Sequence, residues 1–185
     1  ETLGELEFSL SATAFFQVNP VQTEVLYNKV VEFAELTGKE TVLDAYCGTG
    51  TIGLYLARNA KKILGIERYG QAVEDAKKNA KRNQISNCEF WTGEVEKYLD
   101  EIQKLKLDLI VVAPPRSGCS TEILEALNQT GAKRMVYVSC NPSTLARDAK
   151  WLVGEGWEIK KVQPVDMFPH TSHVECVALM SRVQK

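Results

Sequence analysis

The sequence predicts an α/β protein: a doubly wound, mostly parallel sheet with an antiparallel strand at its C-terminal end. Three observations predict it. The stretch TVLDAYCGTGTIG, Thr41 to Gly53, runs from β-favouring residues through a loop with Gly48 and Gly50 into a helical pattern, the layout of a Rossmann-type strand, turn and helix. Strand-length apolar runs then alternate with helical patterns about every twenty to thirty residues, as βαβ units require. Leu107 to Val112, LDLIVV, reads as the apolar run of a central parallel strand buried on both faces. The 185 residues, 44% hydrophobic and 25% charged, suffice for one substantial core.

Residues 3 to 18, LGELEFSLSATAFFQV, alternate apolar and polar side chains in part (Leu6, Phe8, Leu10) and read as a β-hairpin or irregular β segment. Asn19-Pro20 then signals a helix start, because proline in a first helical turn loses no hydrogen bond. Val21 to Leu36 carries an apolar stripe at Val25, Leu26, Val30, Phe33 and Ala34, and Gly38 ends it. After the glycine loop, Thr51 to Ala60 reads as helix and Lys61 to Glu67 as a short buried strand ending in an acid. Gly70 to Asn83 is an Ala- and Lys-rich amphipathic helix, Cys88 to Trp91 a strand, and Val95 to Gln103 a helix. Leu107 to Val112 opens into Ala113-Pro114-Pro115-Arg116-Ser117-Gly118, where two prolines impose a rigid, donor-poor turn. Glu122 to Gln129 is helix, Arg134 to Val138 a strand delivering Ser139-Cys140-Asn141-Pro142, and Thr144 to Val153 helix again. Glu158 to Asp166 and Val174 to Ser181 close the sheet as an antiparallel pair. No repeat, linker or low-complexity tract interrupts the series, so residues 1–185 are expected to form one domain, with 1–19 as an N-terminal β segment leading into it.

A net charge of −2 gives no support to nucleic-acid binding, so any RNA affinity has to come from local patches or from parts outside this chain. No apolar run approaches the roughly 20 residues that span a bilayer, and no signal-peptide pattern opens the chain. The first residue is Glu1 rather than Met, as in an excised fragment. Cys47, Cys88, Cys119, Cys140 and Cys176 are scattered, with no C-x-x-C pair. That argues against a zinc or iron–sulfur site and, without a secretory signal, for reduced thiols in a cytoplasmic protein.

Ligands of such sheets bind beyond the carboxyl ends of the strands. That rule gathers the glycine loop, Glu67, Glu94, the loop after Leu107–Val112 and the Ser139–Pro142 loop on one rim. Gly48, Gly50 and Gly53 satisfy G-x-G-x-x-G, which lets backbone N–H groups approach a ligand while the helix N-terminus favours negative charge. Glu67, about twenty residues after the glycines, is placed to accept hydrogen bonds from both hydroxyls of a ribose. Glu94 reads two ways, as an acid meeting an adenine edge or as a cap for the helix after it. Cys140 follows a buried strand and precedes a helix; that position, with Arg116 on the same rim as a candidate neighbour, is expected to lower a thiol pKa. The other four cysteines read as inert packing. Glu175 on its own reads as a solvated charge on a terminal strand, although Pro169-His170-Thr171-Ser172-His173 before it suggests a structured polar loop. His170 and His173 suit phosphate or water better than a metal, since no third ligand is evident.

Five stretches in this order, Phe15-Phe16-Gln17-Val18-Asn19-Pro20, DAYCGTGTIG, Pro114-Pro115-Arg116-Ser117-Gly118, SCNP and His173-Val174-Glu175, resemble the RNA (uracil-5-)-methyltransferases, which use S-adenosylmethionine to make 5-methyluridine in tRNA or ribosomal RNA. The resemblance covers almost the whole chain. It implies the class I methyltransferase fold, normally preceded by a small β-barrel RNA-binding domain and a central domain, both expected to lie outside residues 1–185. It further implies that Gln17, Tyr46, Glu67 and Glu94, with Gly48 and Gly50, contact the cofactor. Cys140 would be the nucleophile, Glu175 the general base, and Arg116 and Asn141 would meet the RNA. Phe16 and Phe168 are candidates for stacking on the target base and equally for the core. The family usually has aspartate before Pro-Pro-Arg, lining the cofactor and base pocket; here Ala113 stands in its place, a departure that bears on catalytic competence. Two other readings stay open. Another class I nucleic-acid methyltransferase, such as an amino-group methylase, would carry an aromatic after its Pro-Pro pair and need no cysteine. A cofactor- or RNA-binding module without catalysis would follow from Ala113 and the missing domains.

Overall fold

A computed structural model describes residues 1–11 and 17–183 of the chain. It begins with a short hairpin, β1 (Thr2–Leu3) and β2 (Leu6–Glu7), and helix α1 (Pro20–Ala34). Strands and helices then alternate: β3 (Thr41–Ala45), α2 (Thr51–Leu56), β4 (Lys62–Glu67), α3 (Gly70–Arg82), β5 (Cys88–Thr92), α4 (Leu99–Lys104), β6 (Leu109–Val112), α5 (Thr121–Gln129), β7 (Arg134–Ser139) and α6 (Pro142–Gly154). β8 (Trp157–Val165) and β9 (Glu175–Arg182) follow with no helix between them. Seven strands form one sheet in the order β5-β4-β3-β6-β7-β9-β8, parallel through β7, with β9 antiparallel to both neighbours. This is the doubly wound α/β fold that the sequence predicts, antiparallel end included.

The period-2 pleat explains why the central strands are apolar throughout. Val42, Leu109, Val111 and Val136 point to one face, where Leu26, Val30 and Phe33 of α1, Leu54 of α2 and Val73 of α3 cover them. Leu43, Ile110, Val112 and Met135 point to the other, against Ile102 of α4, Ile123 and Leu127 of α5, and Leu145 and Leu152 of α6. All four residues of β6 are fully buried, and each such side chain contributes roughly 1.5–3 kcal/mol of burial free energy. Among the described residues no helix is long and apolar enough to cross a membrane.

Departures from the expected elements have local causes. The helix expected over Thr51 to Ala60 is α-helical only to Leu56 and tightens to a 3₁₀ turn over Ala57–Asn59. The one expected over Val95 to Gln103 starts as a 3₁₀ turn, Val95–Tyr98, where the Tyr98 hydroxyl reaches back to donate to the Thr92 carbonyl at 2.7 Å. The N-terminal segment is hairpin only to Glu7; from there on, side chains of α3 and its C-cap hold the backbone, Asn83 Oδ1 accepting from Glu7 N–H, Asn79 Oδ1 from Ser9 N–H and Asp75 Oδ2 from Ser11 N–H. The later part of the expected β segment, with Phe15 and Phe16, lies outside the described residues.

Candidate active site

β3 ends at Ala45 and the chain turns through Tyr46, Gly48 and Gly50, all at positive φ (62°, 53° and 81°), before α2 begins. A Cβ at Gly48 would meet only open space, so this stretch of backbone is free to face a ligand. Gly53 serves packing instead. A Cβ there would lie 2.8 Å from Asp44 Oδ2 and 3.1 Å from Ile63 Cγ2, so its absence lets α2 sit close on the sheet. The Gly53 N–H donates to Asp44 Oδ2 at 2.9 Å, yet Asp44 Oδ1 and Thr49 Oγ1 are buried with no hydrogen-bond partner in the protein. Burial raises the Asp44 carboxyl to about 7; the Gly53 amide opposes the rise and the nearby Glu67 charge adds to it.

Glu67 ends β4 beneath this loop. Its Oε2 accepts from Gly48 N–H at 3.2 Å and its Oε1 from Tyr69 N–H at 3.0 Å, which fixes the carboxylate while leaving lone pairs on both oxygens. Tyr46, Glu67 and Glu94 line one cleft of about 190 Å³ with Ile66, Arg68 and Ser120. Glu94 stands at the start of the Val95–Tyr98 turn but its side chain caps nothing there. It pairs with Lys97 Nζ at 2.7 Å, and that bond holds its carboxyl below the usual range. Gln17 is half-buried two residues before Asn19, which caps α1, and is not among the residues lining this cleft.

A second group assembles three strands away, where β7 ends. Ser139 pairs with Cys176 of β9, and Glu175 pairs with Val165 of β8, so Cys140 leaves the sheet beside Glu175. Glu175 is not a solvated edge charge. It is 4% exposed, because β8 lies outside β9 and makes the last strand of the chain an interior strand of the sheet. Burial raises its pKa, with the Arg116 charge opposing. Cys140 is half-buried, as is Cys88 at the start of β5, whereas Cys47, Cys119 and Cys176 are buried. The expected lowering of the Cys140 pKa is not found: burial first and the Glu175 charge second push the thiol up, outweighing Arg116 and the Cys140 amide.

The turn Pro115–Gly118, closed by Gly118 N–H donating to the Pro115 carbonyl at 2.8 Å, carries Arg116 to this corner. The Arg116 guanidinium donates to His173 Nδ1 at 2.7 Å, and His173 packs edge-on against Phe168. Asn141 caps α6, accepting from Ser143 N–H at 3.0 Å, while its amide donates to the Arg116 carbonyl at 3.3 Å. Ala113, half-buried at the end of β6, donates its N–H to the Ala45 carbonyl at 3.3 Å and rests its methyl group on the core. Among the described residues no group of three or more His, Cys, Asp or Glu is arranged to hold a metal.

Sequence reasoning missed Asp44 and Asp148. Both had a signal. Asp44 interrupts an apolar strand immediately before a glycine turn, and Asp148 falls in phase with Leu145, Ala149 and Leu152 on the buried face of α6. An acid in such a place is rarely idle.

The profile of the tRNA (uracil-5-)-methyltransferase family matches residues 4–183. An uncharacterized RNA methyltransferase of Bacillus cereus is 54% identical over 185 residues, covering 99% of this chain and 40% of that protein. One from Oceanobacillus iheyensis is 54% identical over 180 residues, covering 96% and 39%. The chain thus spans about 40% of the length of these curated relatives. The crystal structure of Pyrococcus abyssi tRNA (uracil-54, C5)-methyltransferase in complex with S-adenosyl-L-homocysteine matches with a TM-score of 0.85 at 35% identity, over 97% of this chain and 43% of that one. A precorrin-6y C5,15-methyltransferase from Geobacter metallireducens shares the fold, with a TM-score of 0.76 at 14% identity over 96% of this chain and 95% of that one.

Proposed function

The chain belongs to the tRNA (uracil-5-)-methyltransferase family, and from that premise we propose that it methylates carbon 5 of a uridine in tRNA or ribosomal RNA, with S-adenosylmethionine as donor and Cys140 as a transient covalent nucleophile. The glycine turn suits that cofactor. The open space at Gly48, the fixed Glu67 carboxylate and the unpartnered Asp44 Oδ1 and Thr49 Oγ1 offer room for close approach and polar groups at one sheet end. Glu67 would take the ribose hydroxyls and Tyr46 and Glu94 the adenine end, with Gln17, Gly50 and the backbone at Ala113 completing the site. Bound there, the cofactor supplies an electrophilic methyl group.

The protein's part is to make carbon 5 accept that methyl group, since uracil alone is too weak a nucleophile. The target base leaves its stack to enter the site. The Cys140 thiolate adds to carbon 6, and the double-bond electrons move to give an enolate with an electron-rich carbon 5. Once carbon 5 bears both methyl and hydrogen, Glu175 accepts the proton. The electron pair of that C–H bond re-forms the ring double bond, and the carbon 6–sulfur bond breaks to return the thiolate. Burial suits Glu175 to the role, because a carboxylate of raised pKa is a stronger proton acceptor. Arg116 is the charge that would favour the thiolate, and with Asn141 it would meet the RNA. Reduced thiols and an RNA substrate both suit a cytoplasmic setting.

The observation that carries this reading is a half-buried thiol at the end of β7 beside a buried carboxylate at the start of β9. Ala113 favours a second reading, a module that binds cofactor and RNA with impaired chemistry. RNA containing 5-fluorouridine, whose carbon 5 substituent cannot be removed as a proton, tests both. A covalent protein–RNA adduct, dependent on S-adenosylmethionine and lost in Cys140→Ala, is expected by mass spectrometry. An adduct formed only by Ala113→Asp would assign the second reading, and none from either would overturn the covalent mechanism.

A further inference from the structure

We propose that Arg147 and Asp148, adjacent on α6, are positioning residues that clamp the Pro115–Cys119 turn to that helix and so hold Arg116 in place beside Cys140 and Glu175. The inference rests on the reading of Cys140 as the reacting thiol.

Asp148 is fully buried, and both oxygens of its carboxylate accept hydrogen bonds from one loop and its neighbours. Oδ2 accepts from the Tyr137 hydroxyl at 2.6 Å and from the Cys119 N–H at 2.8 Å, while Oδ1 accepts from Arg147 Nε at 2.8 Å and lies in an ion pair 2.7 Å from Nη2. Arg147 Nη2 also donates to the carbonyls of Ser117 at 2.9 Å and Cys119 at 3.0 Å. One turn earlier on the helix, Thr144 Oγ1 donates to the Arg116 carbonyl at 3.2 Å, beside the Asn141 amide on the same oxygen. The backbone at 116, 117 and 119 is therefore gripped by side chains of α6 and of its cap. Gly118 completes the fit: at φ +75°, a Cβ there would lie 2.6 Å from both Arg147 Nη2 and Asp148 Oδ2.

With Asp148 fully buried and Arg147 exposed, this ion pair is a poor way to gain stability, since desolvating the carboxylate offsets much of the attraction. It is a good way to fix geometry. α6 starts two residues after Cys140, so one helix carries the thiol at its N-terminus and holds the turn that presents the guanidinium. One rigid element thus fixes the backbone of the turn relative to the thiol, while His173 holds the guanidinium itself, the condition for a preorganised site. Arg116 lowers the proton affinity of both Cys140 and Glu175, so releasing the turn should weaken that influence.

The test reads the alkylation rate of Cys140 by iodoacetamide against pH, by mass spectrometry of the Cys140 peptide, in Arg147→Met and Asp148→Asn. Arg147 is exposed, so its replacement leaves no core void. In Arg147→Met the midpoint should rise by about half a pH unit, or about threefold slower alkylation below it, with S-adenosyl-L-homocysteine binding unchanged. Asp148→Asn should move it in the same direction, and Arg147→Lys, which keeps one cationic donor, should restore part of the shift. In an Arg116→Ala background Arg147→Met should add nothing. A lowered melting temperature with an unmoved midpoint, or a shift that persists without Arg116, would overturn the clamp. The readout needs no RNA. A chain that titrates as expected but transfers no methyl group would therefore retain the clamp and refute the proposed reaction.

Discussion

Asp44 carries a carboxyl group into the apolar centre of the sheet, between Gly65 of β4 and Val111 of β6. Burial lifts its pKa from the ordinary 3.8 to about 7. Between those values the folded chain keeps a proton that the unfolded chain has released, so raising the pH across the window costs stability. The contribution is fully present below the lower value and gone above the upper one. Asp44→Asn keeps an acceptor for the Gly53 amide and does not titrate. Its stability relative to the parent should therefore improve from about pH 4 to about pH 7, by on the order of a few kcal/mol if the whole shift is realised. Denaturation of both proteins across that range checks this, and parallel curves would mean that Asp44 titrates at its ordinary value. The same burial acts on Glu175 and Cys140 in the same direction, but both stand near Arg116, which Asp44 does not.

At the scale of elements, α6 shows what a sequence states outright and what it withholds. Asn141-Pro142 is a cap followed by a first-turn proline, and the helix starts at Pro142, two residues ahead of the expected Thr144, because Pro142 and Ser143 already belong to its first turn. Removing the cap in Asn141→Ala should cost about 1 kcal/mol from the lost bond to Ser143 N–H. Asn19→Ala should cost a similar amount, since Asn19 likewise caps a helix and donates its amide to a distant carbonyl, that of Met167 at 3.2 Å, and urea denaturation of the two variants compares them. The alternation of elements was legible because it rests on local periodicity, and the rim followed from the rule for parallel sheets. Three things were not. Glu175 looked solvated because nothing local says that β8 would lie outside β9. The Cys140 pKa was misjudged because the helix terminus and Arg116 are visible in sequence, whereas desolvation and the neighbouring carboxylate arise only on folding. Asp148 and Arg147 escaped notice because their partners, Tyr137 and the carbonyls of Ser117 and Cys119, come from other segments.

Across the whole molecule the sheet separates two tasks. Chain order reverses between β3 and β6, the crevice where doubly wound sheets bind ligands. The acids proposed for the cofactor end β4 and follow β5 on one side of it, and the thiol and base stand at β7 and β9 on the other. β4 and β7 are three strand spacings apart, about 14 Å at the usual separation of neighbouring strands. That exceeds the screening length of about 8 Å at physiological ionic strength, although the low dielectric between them weakens the screening. The two ends should then respond separately to substitution. Glu67→Gln keeps the shape and the acceptor oxygen but loses the charge, and it should weaken S-adenosyl-L-homocysteine binding about tenfold or more, the cost of a charge-assisted hydrogen bond. It should leave the Cys140 alkylation midpoint where it is, while Arg147→Met should do the reverse. The double variant should show both effects undiminished, as expected for sites this far apart with no shared partner. A Glu67→Gln shift in the Cys140 midpoint as large as that of Arg147→Met would mean that the two ends form one electrostatic unit. The Tyr46 side chain, which lies against Cys119 and so touches both the cleft and the clamped turn, would then be the path to examine.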